Sequence, residues 1–101
     1  MMTEPLISIV MPAYNAEKTI KDAIQSVINQ TYKHWELLVI DDCSKDSTKE
    51  IVQQLCKKDT RIILLKNEKN LGVSKSRNYG IRKSQGSWIA LLDSCLLYTS
   101  D

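Results

Sequence analysis

The chain has 101 residues, 43% of them hydrophobic, and its 14 basic and 12 acidic residues give a formal charge of +2. This length suits one small domain or part of a larger one, and the charge is too small to indicate a nucleic-acid or membrane partner. No apolar run reaches the roughly 18–20 residues of a membrane span, the N-terminus does not resemble a signal peptide, and the three cysteines share no metal-ligand spacing, so we expect a cytoplasmic protein with reduced thiols.

Four short apolar runs predict β-strands, because turn-forming or polar residues bound each of them. The runs cover residues 7–11, 36–40, 61–65 and 87–92. Crossovers of helical length separate them, and such crossovers favour a parallel sheet with right-handed connections. The order β-α-β-α-β-α-β, without repeats or internal linkers, predicts a three-layer α/β unit.

Three segments with apolar residues at three- and four-residue spacing predict the helices. The first begins near Glu17 with Asn15 as its N-cap, and the second opens with a capping box at residues 47–50. The third covers about residues 74–84 and ends before Gly86. Each helix therefore connects one predicted strand to the next.

Carboxylates follow two of the predicted strands. Asp41 and Asp42 come after the second strand, and Asp93 comes after the fourth. Because an open α/β sheet presents its ligand crevice at the carboxyl ends of its strands, these positions suggest a nucleotide or metal-nucleotide site. Asp41 should point away from Asp42, since adjacent strand residues face opposite ways. Taken alone, the Asp-Asp-Cys-Ser segment is more typical of an ordinary turn.

Two further features are compatible with a ligand at this edge of the sheet. The loop after the first strand lacks the glycine-rich phosphate signatures, but Tyr14 offers a stacking surface with a polar tip. Arg77 lies on the helical face that should meet the sheet, where an arginine needs a partner. That partner is either Asp42, in an internal ion pair, or an anionic or uracil-like ligand, and the spacing leaves both alternatives open.

Several segments together resemble the N-terminal part of glycosyltransferase family 2. They lie in order at residues 8–15, 26–32, 36–48, 70–80 and 89–94. The resemblance implies the first half of a GT-A fold, a Rossmann-like unit with a four-stranded parallel sheet of order 3-2-1-4. It also implies an enzyme that transfers a sugar, with inversion, from a nucleotide diphosphate to a saccharide or lipid acceptor. The complete enzyme could then associate with the cytoplasmic face of a membrane.

The same resemblance implies a binding site for a nucleotide sugar, with UDP as the default nucleotide. It assigns this site to Pro12, Ala13, Tyr14, Asn15, Asp42, Arg77 and Asp93. Within that set Asp42 reads the edge of the base, and Asp93 is the first acid of a motif that holds Mn²⁺ or Mg²⁺ with the diphosphate. No catalytic residue is assigned, and His34 is expected to be a surface loop residue.

The chain departs from the family pattern directly after Ser94. Two acids are expected there, but Cys95 and Leu96 follow, and a thiol is a poor ligand for Mn²⁺ or Mg²⁺. We therefore divide the chain into residues 1–94, the donor-binding half, and an atypical segment 95–101 that we do not expect to be the native continuation. Since the metal motif is partial and the catalytic base of inverting members is absent, we expect weak metal binding and no activity from this chain by itself.

Two other functions compete with this interpretation. A phosphoacceptor receiver domain fits less well, because its acid pair follows the first strand and a later strand supplies a lysine that is missing after Leu92. A non-catalytic nucleotide-binding or interaction module with a degenerate site is the stronger alternative. In either case, an exposed edge at the fourth strand, extended by the tail, predicts self-association.

Overall fold

The computed structural model describes residues 4–94, so the segment 95–101, with Cys95 and the tail predicted to self-associate, lies outside the described residues. The strands are β1 (Ile7–Ala13), β2 (Trp35–Asp41), β3 (Ile62–Lys66) and β4 (Trp88–Leu91). The helices are α1 (Ile20–Asn29), α2 (Thr48–Lys58) and α3 (Val73–Lys83). All strand pairs are parallel and the order is β3-β2-β1-β4, which confirms the predicted sheet.

The sheet separates two apolar layers, and every residue of β2 is buried. Alternate residues of β1 and β2, such as Met11 and Val39, pack with α1 and α2 on one face. The intervening residues, Val10, Leu38 and Ile40, pack with α3 on the other face. Because side chains alternate along a strand, this arrangement sends the two neighbouring acids at the end of β2 to opposite faces.

Helix α3 lies very close to the sheet because small residues form its contact. Ser76 and Gly80 are its buried residues, and a Cβ atom on Gly80 would lie 2.6 Å from side-chain atoms of both Ile40 and Val10. Helical spacing predicts an inward face that includes both Val73 and Gly80, and this prediction is only partly right. Gly80 lies on that face, but Val73 is 56% exposed, since the line of contact runs through Ser76 instead.

Pro12 was expected to end the first strand, but β1 continues through Ala13. The carbonyl of Val10 accepts a hydrogen bond from the N–H of Leu92, so alternate residues of β1 direct their backbone groups toward β4. Pro12 faces that same side, where β4 has already ended at Leu91. A proline is tolerated here because its missing N–H faces no strand partner.

The predicted N-cap of α1 is wrong, and the predicted capping box of α2 is right only in the position of Ser47 as the N-cap. Helix α1 has Thr19 as its N-cap, whereas Asn15 has a positive φ of 48° and its side-chain oxygen accepts the N–H of Lys45 at 2.8 Å. Ser47 does precede α2, but its side chain makes no capping hydrogen bond among the described residues. Its N–H donates instead to Oε1 of Glu17 at 2.9 Å, so the reciprocal half of the capping box is supplied from another loop.

Strand β4 forms one edge of the sheet, as predicted. Among the described residues it pairs with β1 alone, and all four of its residues are exposed, including Trp88 at 65%. Self-association through this edge stays a prediction. Within residues 4–94 no helix has both the length and the apolar character needed to cross a membrane.

Replacing Gly80 with alanine should lower the free energy of unfolding by about 1–3 kcal/mol, because the added methyl group forces α3 away from the sheet. Asn78→Ala is the matched control, since Asn78 is exposed on the same helix and should change stability by less than about 0.5 kcal/mol. Urea denaturation of the two variants and the wild type measures the difference. Equal midpoints for Gly80→Ala and wild type would contradict the close packing.

Candidate functional site

A cavity of about 330 Å³ opens at the carboxyl ends of β1 and β4. Its lining comes from the end of β1 and the following loop, the end of β2, the start of α3 and the end of β4. The residues are Pro12, Ala13, Tyr14, Asn15, Ala16, Asp42, Val73, Ser76, Asp93 and Ser94. All the predicted site residues except Arg77 therefore meet in one place, where an open sheet of this order is expected to bind its ligand.

The carboxylate of Asp42 is buried and holds the loop between β3 and α3. Its Oδ1 accepts hydrogen bonds from the side-chain amide of Asn67 and the N–H of Leu71, both at 2.8 Å. Its Oδ2 accepts the N–H of Gly72 at 2.9 Å. Asn67 also donates to Oγ of Ser76 at 2.9 Å, which extends the network into α3.

These hydrogen bonds keep Asp42 ionised. Burial alone raises the pKa of this carboxyl, but the donors from Leu71, Asn67, Gly72 and Ser76 together outweigh burial and hold the pKa below its usual value. None of the sequence patterns predicts Asn67, Leu71 or Gly72 as partners of Asp42. The position of Asn67 indicates such a contact, because it is a polar residue directly after β3 and thus lies at the same edge of the sheet as Asp42.

Arg77 does not form the ion pair with Asp42 that the spacing left open. Within residues 4–94 the ion pair found is Arg61 with Asp59, at 2.8 Å. Arg77 is outside the cavity lining, and its Nε is buried without a hydrogen-bond partner in the described part of the chain. The ion-pair alternative is therefore wrong, and a contact between Arg77 and a ligand stays a prediction.

The other predicted residues present accessible groups to the cavity. Tyr14 is 45% exposed, so a face of its ring is open to a planar ligand. Asp93 is exposed at the end of β4, and the carbonyl of the following Ser94 accepts the hydroxyl of Thr19 at 3.1 Å. An aromatic ring and a carboxylate thus stand on two walls of the same cavity.

The described part of the cavity wall holds no cluster of metal-ligating side chains. The described residues contain no group of three or more His, Cys, Asp or Glu side chains that could hold an ion. Asp42 and Asp93 are the carboxylates among the lining residues, and the oxygens of Asp42 already accept hydrogen bonds. Asp93 could contribute one oxygen ligand, which suits a Mg²⁺-like ion that takes its other ligands from phosphate groups and water.

Comparisons with known proteins agree on one family. The model of Glycosyl transferase family 2 matches residues 8–101. The Escherichia coli protein WfgD, named UDP-Glc:alpha-D-GlcNAc-diphosphoundecaprenol beta-1,3-glucosyltransferase, is 48% identical over 93 residues, which cover 92% of this chain and 36% of WfgD. This chain spans about a third of the length of WfgD and of two other curated relatives that it matches.

Solved structures show the same architecture. S. aureus TarS in complex with UDP-GlcNAc has a TM-score of 0.81 and 31% identity, over 87% of this chain and 26% of the TarS chain. The mannosyltransferase PcManGT from Pyrobaculum calidifontis, in complex with GDP-Man and Mn²⁺, has a TM-score of 0.84 and 21% identity, over 91% of this chain and 28% of that chain. The predicted GT-A fold is confirmed by these glycosyltransferases.

Asp42→Asn should lower the free energy of unfolding at pH 7 by about 1–3 kcal/mol, because an amide NH₂ would face the backbone donors and leave one unsatisfied. The pKa of Asp42 is lowered by folding, so its stabilising effect is present above the unfolded pKa of about 3.9 and is lost as the pH falls through the folded pKa. Chemical denaturation at several pH values should thus show the difference between wild type and variant shrinking below about pH 4.

Glu68→Gln is the control for this experiment, because Glu68 is exposed in the same loop and should change stability by less than about 0.5 kcal/mol. If the free energies of unfolding of wild type and Asp42→Asn differ by the same amount down to pH 2, the assigned role of the ionised carboxylate is contradicted.

Proposed function

The chain belongs to glycosyl transferase family 2, and on that premise we propose that its α/β unit binds the nucleotide sugar from which the enzyme transfers a glycosyl group. The observation that carries the proposal is the single cavity in which Tyr14, Asp42 and Asp93 meet. The ring of Tyr14 can stack on a base, and the carboxylate of Asp42 can accept a hydrogen bond from the edge of that base. The exposed carboxylate of Asp93 can bind the metal ion of a diphosphate. TarS, at 31% identity, is known in complex with UDP-GlcNAc, which supports a uridine nucleotide.

In this proposal the base stacks on Tyr14 and donates a hydrogen bond to Asp42. A carboxylate has about four acceptor positions, and Asn67, Leu71 and Gly72 occupy three of them. Ser76 also contributes a hydrogen bond to Asp42, and it lines the cavity. Because a hydroxyl can rotate to another acceptor, Ser76 is the group that a base N–H would replace.

Asp93 would hold a divalent ion together with the diphosphate. The donor set fits such an ion only in part, since one carboxylate from the described residues lines that side of the cavity and phosphate oxygens must complete the coordination. When bound, the ion would neutralise the charge that develops on the departing diphosphate. The role of Asp93 is to fix the diphosphate at the end of β4, opposite the base-binding wall.

We also propose that the complete enzyme transfers its sugar, with inversion, to a saccharide or lipid-linked acceptor at the cytoplasmic side of a membrane. The name of WfgD, at 48% identity, specifies a UDP-Glc donor and a diphosphoundecaprenol-linked acceptor, and this supports a role in cell-surface polysaccharide synthesis. A sugar hydroxyl needs a general base to accept its proton. None of the described lining residues is assigned to that step, so their part in the reaction is donor binding.

Tyr14→Ala should weaken UDP binding by about tenfold or more, because one base–aromatic stack contributes roughly 1–3 kcal/mol. Isothermal titration calorimetry with UDP and Mn²⁺ measures the change. Trp88→Ala is the matched control, since Trp88 is an exposed aromatic residue at the opposite end of the strands. Failure of the wild type to bind UDP or GDP at millimolar concentration would overturn the proposal and favour a non-catalytic module.

Mn²⁺ should increase the UDP affinity of the wild type. In Asp93→Asn this increase should be less than about half as large, because the ion loses its carboxylate ligand. Binding is compared in Mn²⁺ and in EDTA. Uridine serves as the internal control, because it lacks phosphate and should bind wild type and variant equally. An unchanged effect of Mn²⁺ on UDP binding would remove Asp93 from the metal site.

A further inference from the structure

Three consecutive backbone N–H groups in the loop between β1 and α1 are held by side chains of the loop between β2 and α2 and of the first residue of α2. The pairs are Asn15 N–H to Ser44 Oγ at 3.0 Å, Ala16 N–H to Thr48 Oγ1 at 2.7 Å, and Glu17 N–H to Asp46 Oδ2 at 3.2 Å. We call these three hydrogen bonds the interloop bracket. A loop that follows a strand usually satisfies its N–H groups with water or its own turn, so this cross-loop pairing needs an explanation.

The pairing is reciprocal. The N–H of Lys45 donates to Oδ1 of Asn15 at 2.8 Å, and the N–H of Ser47 donates to Oε1 of Glu17 at 2.9 Å. Each loop therefore satisfies the backbone of the other. The two loops are fixed as one unit, although about thirty residues separate them in the sequence.

Thr48 is the centre of the bracket. It is fully buried, and its hydroxyl donates to Oδ1 of Asp46 at 2.5 Å. A hydroxyl has one proton, so this bond leaves its lone pairs directed at the N–H of Ala16. Burial raises the pKa of Asp46, but hydrogen bonds from the hydroxyl and N–H of Thr48 and from the N–H of Glu17 outweigh burial, and the carboxyl stays ionised.

The side chains of the interloop bracket support the wall of the cavity but do not line it. Thr48 and Asp46 are absent from the lining, whereas Tyr14, Asn15 and Ala16 belong to it. On the other side of Tyr14, the carbonyl of Ala13 accepts the N–H of Asp42 at 2.8 Å. Tyr14 is thus one residue away from a fixed hydrogen bond on either side, and the direction of its ring depends on both.

We propose that Thr48, supported by Asp46, is a positioning residue of the nucleotide site. It holds the base-binding segment from Tyr14 to Ala16 in the conformation that accepts a planar ligand. The inference rests on the proposed function and deepens it, because it extends the determinants of nucleotide affinity to a residue that touches neither the cavity nor the ligand. Preorganisation of this kind raises affinity by removing the cost of ordering the loop during binding.

A simpler role for these residues is to cap α2, since the N–H of Thr48 donates to Oδ1 of Asp46 at 2.9 Å. The two roles are separable. Thr48→Val keeps the shape of the side chain and the backbone N–H that makes the capping bond, and removes the hydroxyl that accepts from Ala16 and donates to Asp46. Thr48→Ser restores that hydroxyl, and Ser47→Ala changes a neighbouring serine whose side chain makes no capping hydrogen bond among the described residues.

The test measures UDP affinity by calorimetry, in Mn²⁺, for the full-length protein and these three variants. We expect Thr48→Val to bind UDP about tenfold more weakly, equivalent to about 1.4 kcal/mol, and Thr48→Ser and Ser47→Ala to stay within about twofold of wild type. Amide hydrogen exchange, read at the N–H of Ala16, should be faster in Thr48→Val and restored in Thr48→Ser. Thermal unfolding of each variant establishes that binding is measured on folded protein.

The outcomes separate the positioning role of Thr48 from the proposed function on which it rests. If the wild type binds UDP and folded Thr48→Val binds it equally well, the positioning role is overturned and the proposed function stands. If the wild type does not bind UDP, both fail together. Should Thr48→Val not fold, Ser44→Ala is measured instead, because it removes the bond from the N–H of Asn15 at a half-buried position. A UDP affinity of Ser44→Ala equal to that of wild type would then overturn the positioning role of the interloop bracket.

Discussion

The ionised carboxylate of Asp42 is the constraint on which the rest of the site depends. Its backbone N–H donates to the carbonyl of Ala13 at 2.8 Å, and its side chain holds the N–H groups of Leu71 and Gly72. One residue thus joins the end of β1, the end of β2 and the entry to α3. Hydrogen bonds to a charged group are worth about 1.5–3 kcal/mol each, so the geometry of three cavity walls follows from one well-satisfied buried charge.

The alternation of side chains along β2 decides how its two terminal acids are used. Asp42 faces α3, whereas Asp41 faces α1 and α2, where its Oδ2 accepts the N–H of Ser44 at 3.3 Å. A shift of one residue in the register of β2 would exchange the two faces and remove the acid from the cavity. Complete burial of β2 between two apolar layers makes such a shift costly, so the hydrophobic pattern of the strand also fixes the polar chemistry at its end.

Apolar runs and helical spacing predicted the strands, the helices and a parallel sheet, because these depend on local periodicity. The strand order and the set of site residues were implied by the family resemblance, and the structure brings all of that set except Arg77 to one cavity. The errors concern hydrogen bonds between distant loops. Asn15 and Ser47 are typical caps by local rules, but each bonds to a loop about thirty residues away, and no short pattern contains that information. The spacing left an ion pair with Asp42 as one of two alternatives for Arg77, whereas the amide of Asn67 and backbone N–H groups of the β3–α3 loop occupy the carboxylate.

The two sides of the cavity are supported to different degrees. The wall that contains Tyr14 is fixed by the ladder between β1 and β2 and by the interloop bracket, and it lies beside the most buried strand of the sheet. The wall that contains Asp93 follows an edge strand of four exposed residues, which within residues 4–94 pairs with β1 alone. A hydrogen bond from Thr19 to Ser94 connects this wall to α1. Local opening is easiest where buried apolar contacts are fewest. The wall that contains Tyr14 is therefore preorganised, whereas under the proposed function a metal-bound diphosphate would itself supply part of the order on the side of Asp93.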